Sequence, residues 1–315
     1  MPPVITPGRI LGSWYPEPIY ITVVIAAVAL YLIGVQRLRQ RGDAWPAGRI
    51  IVWLLAWCAV LLASSSGLAR YAPVLASAHM AQHLMLTLVA APLIALSAPV
   101  TLALRALRPL AAKGGSGPRE VLLRATNWRA THWLTKPAVA GSLFAFSPYI
   151  VYFSGIYELS LRQHVLHLLL LAHFLISSVV FFTVVIGTDP LTSRPGHLGR
   201  LMMVIFAAVA HTIFGIVVMQ SSGALAPEWW SDIARPWWPD ARQDTVVAGG
   251  LAWAFGELPV LFVVAAIVRQ WAQDDERQQR RRDRAADMAG SREAVEVEDY
   301  NAMLKRLAGG DTRGS

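Results

Sequence analysis

Cysteine and charge are both scarce in this 315-residue sequence. The single cysteine, Cys58, excludes an intramolecular disulfide framework and any metal cluster built on several thiolates. Charged residues make up 15 % of the chain, against roughly a quarter in an ordinary soluble domain. With 55 % hydrophobic residues and a mean hydropathy of +0.45, the composition excludes global disorder and disfavours a water-soluble globule. Phosphate-cradling GxxxxGK[ST] and GxGxxG patterns, a nucleophile elbow and an internal repeat are also missing, so nucleotide binding and serine or cysteine hydrolysis have no support. Residues 1–18 hold Pro2, Pro3, Pro7, Pro16 and Pro18, with no basic stretch leading into an apolar core. No cleavable signal peptide is expected, and the first apolar run reads as a retained anchor.

What is present is length in apolar runs. Seven stretches stand out: Ile19–Val35, Ile50–Gly67, Met80–Leu104, Pro137–Phe153, Leu161–Gly187, Leu198–Gln220 and Val246–Val268. A helix needs about 20 residues to cross a hydrocarbon core; the first and fourth runs are at the short end. The runs lack the alternation of barrel strands, so the expected fold is an all-α membrane bundle of about seven helices. Basic residues set the orientation. All but five of the 28 lie in the loops 36–49, 105–136 and 188–200 or in the tail from Arg269. The positive-inside rule places these segments in the cytoplasm and the N-terminus outside. Trp14, Tyr15, Trp229, Trp230, Trp237 and Trp238 then fit an outer aromatic belt. The organisation is an outer segment 1–18, a membrane domain 19–268 and a charged cytoplasmic tail 269–315. The net charge of +8 comes from the short inner loops. It therefore marks topology, with Arg280–Arg282 available to anionic lipid, and not a nucleic-acid surface. Gly114, Gly115 and Gly117 in an inner loop read as a flexible linker.

Histidine carries the chemistry. His79 and His83 open the third run at i, i+4, and His164 and His167 open the fifth at i, i+3, so each pair shares a helix face. Both pairs lie at outer helix ends. Imidazole suits copper, zinc and iron, and two pairs at matched depth form a candidate metal or haem contact; hydrogen-bonded polar interface residues are the alternative. A deeper tier comprises His173, His211 and Glu257, near the bilayer middle by helical rise. They read either as packing hydrogen bonds or as a further metal or proton station. Met80, Met85 and Met219 add thioethers that favour Cu(I), although an isolated methionine is ordinarily packing. Cys58 reads as core packing. Pro92, Pro99, Pro148 and Pro259 should kink their spans, Gly187–Pro190 reads as a helix stop and turn, and Gly249 with Gly250 permits close helix approach.

The stretches HMAQHLMLTLVAAPLIALSAP (79–99), HVLHLLLLAHFLISSVVFFTVVIGTDP (164–190), HTIFGIVVM (211–219) and DTVVAGGLAWAFGELP (244–259) resemble the polytopic CtaG-type cytochrome c oxidase assembly factors. The likeness covers roughly residues 15–270. The single-span copper chaperone of the same name is a different protein. The resemblance implies a non-enzymatic factor that helps copper reach the binuclear centre of a haem–copper oxidase, with an oxidase subunit as partner. The family's histidines map onto His79, His83, His164, His167 and His211, its inner turn onto Gly187, Asp189 and Pro190, and its last-span acid onto Glu257. The pair Phe181-Phe182 departs from an expected Phe-Trp step. The copper-resistance-type membrane domain of some members is not seen in this sequence, so import of copper by that module is not implied.

Three functional readings follow. The first is an assembly factor of the cell membrane that holds Cu(I) on outer-leaflet histidines and delivers it. The second is a haem-b-binding redox protein using His173 and His211. The third is a copper transporter with Glu257 in its pathway.

Overall fold

The structure of the chain, a computed structural model, describes residues 2–109, 117–190, 194–233, 236–238 and 240–310, except for the side chains of residues 11, 256–259, 289, 293, 294 and 306–310. Gly114 and Gly115 of the inner-loop linker lie outside the described residues, as does the side chain of Glu257. The described residues are helical, with no strand among them. Six helices are long and apolar enough to cross a membrane, or seven if one bent pair counts as a span.

A short α1 (Pro7–Gly12) precedes α2 (Pro18–Gln40), whose Pro18 occupies the first turn, where no amide donor is needed. Arg37 and Arg39 fall in its last turn, favourable for the negative end of the helix dipole. Next come α3 (Ala47–Ser65) and α4 (Gly67–Tyr71). A Cβ at Gly67 would lie 2.5 Å from the Arg9 carbonyl oxygen, so glycine is what lets α1 rest on this corner. The Tyr71 hydroxyl donates to the Pro3 carbonyl at 2.8 Å, and the N-terminal segment is thereby folded back over the bundle end.

The third span is built in pieces: α5 (Ala76–Leu84), a π-helical stretch (Met85–Ala90), α6 (Ala91–Leu96) and α7 (Pro99–Ala106). Pro92 falls in the first turn of α6 and Pro99 in that of α7. Ala98 between them is fully buried and left-handed, at φ 53°, a conformation that costs a non-glycine residue about 1–3 kcal/mol. Two buried aspartates hold the start of these pieces. Asp244 accepts from the Ala76 amide at 2.6 Å and the Ser77 hydroxyl at 2.5 Å. Asp189, in the turn after the fifth span, accepts from the Thr101 amide at 2.7 Å and its hydroxyl at 2.6 Å. Neither α5 nor α7 has a local side-chain cap, so each borrows its N-terminal acceptor from a distant part of the chain.

Beyond this span, α8 (Pro118–Thr126) and α9 (Arg129–Leu134) lead to α10 (Pro137–Tyr152). The chain then bends by 71° into α11 (Gly155–Arg162). The fourth apolar run is thus a 16-residue helix, and a tilted arm follows it. Its interior Pro148 is compatible with a helix whose neighbours supply support. The remaining elements are α12 (His164–Val185), α13 (His197–Gln220), α14 (Pro227–Ser231) and α15 (Ala241–Gly310).

The third span and α12 are shared by two apolar clusters. One joins them to α2 and α3, the other to α10, α13 and α15. Lipid offers no hydrophobic drive for helices to associate, so close packing and interhelical hydrogen bonds carry the assembly. Tyr20 donates to the Leu168 carbonyl at 3.1 Å, Tyr31 to Ser97 at 2.8 Å and Tyr149 to Ala210 at 2.6 Å. Where α13 crosses α15, a Cβ on Gly249 would lie 2.7 Å from the Gly215 carbonyl oxygen and from Met219 Cγ, whereas one on Gly250 would meet nothing within 4 Å. Only the first glycine of the pair is a contact. Cys58 corrects its sequence reading: it is exposed on α3, since Trp53, Ala56, Trp57 and Val60 occupy the inward face of that helix.

The chain divides into two units, Met1–Ile267 and Val268–Ser315. The second is helical through its described residues, with side chains that are mostly exposed.

Candidate metal centre

The first turns of α5 and α12 meet near one end of the bundle. His79 and His83, one turn apart on α5, have ring centroids 4.4 Å apart. From α12, His167 places its ring 5.0 Å from His79 and 6.4 Å from His83. His79 is 0 % and His83 3 % exposed. By helical rise His79 and His83 lie about 5 and 10 Å into the third span. Three of the five histidines in the first set therefore gather.

The chain folds this way for local reasons. Asp244 fixes the start of α5. Just past His83 the π-helical stretch widens the backbone ladder, and the Thr87 hydroxyl donates to the His83 carbonyl at 2.9 Å. Such insertions concentrate at functional sites because they re-aim the residues on either side. The 71° bend between α10 and α11 brings in Tyr152 and Tyr157. Tyr157 lies 4.9 Å from the His79 ring, and the Tyr152 hydroxyl is 3.5 Å from His83 Nδ1. Phe174 closes the lower side, 4.5 Å from the His83 ring.

The centre is under-satisfied. Both ring nitrogens of His79, Nε2 of His83 and the Tyr157 hydroxyl are buried without a hydrogen-bond partner. In a finished protein the great majority of buried polar atoms are paired, and exceptions mark catalytic, ion or water sites. Beside them lies a cavity of about 20 Å3 lined by Met80, His83, Tyr152 and His211 among others, room for one water or one ion. His211 Nε2 is itself buried and unpartnered, and the residue is hydrogen-bonded to the backbone of Ala252. Thus His211 and Met80 share the cavity with His83 without joining the ring cluster. Among the described residues no three His, Cys, Asp or Glu side chains already stand in an arrangement able to hold a metal ion. The rings are gathered but not focused on one point. The donor set, imidazoles with a thioether beside them, fits a soft or borderline cation.

Three other residues go elsewhere. His164, at the first position of α12, turns outward and pairs with Glu17, Nε2 to Oε2 3.0 Å. His173 is exposed on α12, with Nε2 3.0 Å from the Ser147 hydroxyl oxygen, so it joins α10 to α12. Met219 packs against Gly249 at the helix crossing. Sequence reasoning did not find Tyr152, Tyr157, Gln82, Glu17 or the clamping role of Asp244. Asp244 does carry a signal, a lone acid opening the last apolar run; the tyrosines carry none without the bend.

The histidine face, the cavity and the bend belong to a chain whose relatives share most of its length. The family model described as cytochrome c oxidase caa3 assembly factor (Caa3_CtaG) matches residues 29–274. Uncharacterized proteins of Mycobacterium bovis and Mycobacterium tuberculosis are each 36 % identical to it over 308 residues, 98 % of this chain and 46 % of theirs. One of Mycobacterium leprae is 36 % identical over 278 residues, 88 % of this chain and 42 % of its own. The chain thus spans less than half the length of these curated relatives. No solved structure matches it. On the breadth of the family match, which takes in all the gathered histidines and every long apolar helix at least in part, the chain belongs to the cytochrome c oxidase caa3 assembly factor family.

Proposed function

We propose that this protein carries copper for oxidase assembly, holding a Cu(I) ion as cargo between His79, His83 and His167 and passing it to an oxidase subunit. The family supplies the role in cytochrome c oxidase assembly. The observation that carries the cargo reading is the gathering of three imidazoles in which both ring nitrogens of His79 and Nε2 of His83 are buried without a hydrogen-bond partner. Neighbouring imidazoles suffice to hold a monovalent copper ion, and small ring movements would focus them. Met80 and His211, lining the adjoining cavity, offer a second station deeper in the membrane. That cavity has the size of an ion and not of a porphyrin, which favours copper over haem. The protein acts by binding and transfer, without catalysis. The end bearing Glu17 and His164 faces outward, and the end bearing Arg37, Arg41, Arg105 and Arg108 faces the cytoplasm, as the positive-inside rule requires.

The test is copper stoichiometry of the purified full chain, reconstituted with Cu(I) under reducing conditions. The wild type should hold copper, and the double variant His79→Ala/His83→Ala should lose it while retaining the fold by circular dichroism. Unchanged stoichiometry in the double variant would sink the assignment.

A further inference from the structure

A second, outward-facing pocket of about 250 Å3 lies beside the buried histidines and is separate from the small cavity. Its walls include Glu17, Arg70, Gln82, His164 and His167. His167 belongs to both places: its ring lines this pocket and touches His79 at 5.0 Å. The pocket is therefore the approach to the buried cluster from the outer end of the bundle.

Its chemistry is that of a cation site. Glu17 is only 8 % exposed although it precedes a membrane span, and its carboxylate is held 3.0 Å from His164 Nε2. The Glu17 amide is held 3.4 Å from the Ser65 hydroxyl, so the backbone carrying the carboxylate is anchored. Gln82 is 1 % exposed. Its amide nitrogen donates to the Ala63 carbonyl at 2.8 Å, which fixes the orientation and leaves Oε1 as a buried acceptor without a partner. A carboxylate, an imidazole and an unpaired amide oxygen around one space are ligands awaiting a positive charge. Glu17 also lies upstream of residues 29–274, the part matched by the family model.

We infer that Glu17 and His164 form a capture site for the incoming copper ion, with the His164 imidazole as its ligand and the Glu17 carboxylate as its counter-charge; the site receives the ion at the outer surface and passes it through His167 to the buried cluster. This rests on the cargo reading above and adds the step before it. In the absence of cargo the two side chains bind each other; an arriving ion replaces that pairing, so the carboxylate is never left bare.

The test separates arrival from holding. Cu(I) is presented to the full chain in nanodiscs as its complex with a chromogenic chelator, and transfer is followed by stopped-flow absorbance. Glu17→Gln and His164→Ala should each slow uptake by tenfold or more and leave the final copper stoichiometry unchanged, with Glu17→Asp restoring much of the rate. Uptake at the wild-type rate in both variants overturns the capture site. So does a fall in final stoichiometry without a change in rate, which would make Glu17 part of the holding site. Failure of the buried site itself reads differently: it appears as unchanged stoichiometry in His79→Ala/His83→Ala, whatever the rates.

Discussion

Asp244 is the residue whose removal separates the architecture of the histidine cluster from its chemistry. It is 1 % exposed and accepts from the first amides of α5 and the Ser77 hydroxyl. Hydrogen bonds to a charged partner contribute about 1.5–3 kcal/mol, and loss of a cap costs about 0.5–2 kcal/mol. Asp244→Ala is expected to destabilise the protein by about 2 kcal/mol, read as a lower thermal midpoint in detergent. Asp244→Asn keeps one acceptor and should lose about half as much. The histidines themselves were legible from spacing alone, because i, i+4 and i, i+3 are statements about one helix face. Their partners were not. Tyr157 reaches His79 only through the bend after α10, and Glu17 reaches His164 across 147 positions of sequence; neither relation has a period. His164 shows the limit from the other side. It shares a helix face with His167, yet it sits at the first position of α12, where the side chain turns to the Glu17 carboxylate.

At the scale of elements, the apolar runs located the spans because a long run without charge has few other uses. Departures from regular helix were less visible. Pro92 and Pro99 marked the interruptions of the third span, whereas the π-helical stretch Met85–Ala90 has no compositional mark. The crossing of α13 and α15 gives a paired test. Gly249→Ala would drive a Cβ into the Gly215 carbonyl and Met219 and should cost about 1–3 kcal/mol by overpacking. Gly250→Ala meets nothing within 4 Å, and removing a helical glycine should leave stability unchanged or raise it by about 0.4–1 kcal/mol. Equal loss from both variants in a thermal-shift assay would contradict the crossing. The two glycines are adjacent and identical in sequence, so only the neighbouring helix distinguishes them.

For the whole molecule, the charge distribution indicates a topology that helix packing alone does not fix. A single exposed cysteine makes this simple to measure. In a Cys58→Ser background, a cysteine introduced at Ser222 should react with a membrane-impermeant maleimide added to intact cells, and one introduced at Gln278 should react only after lysis. The opposite pattern would invert the orientation and place the Glu17 pocket on the cytoplasmic side. The bundle as a whole was legible because the all-α membrane class follows from composition and run length, both summed over many residues. The capture pocket was not, since it depends on a handful of side chains from four helices.

The clamp on α5 also has a consequence in time. Its carboxylate sits at the head of the last apolar run, more than 160 residues after the amides it caps. While the ribosome is still making the chain, the third span enters the membrane with the head of its histidine helix unpinned. The cluster is completed only when the final helix docks. A nascent or truncated chain lacking that helix is therefore expected to present loose imidazoles instead of a set cluster.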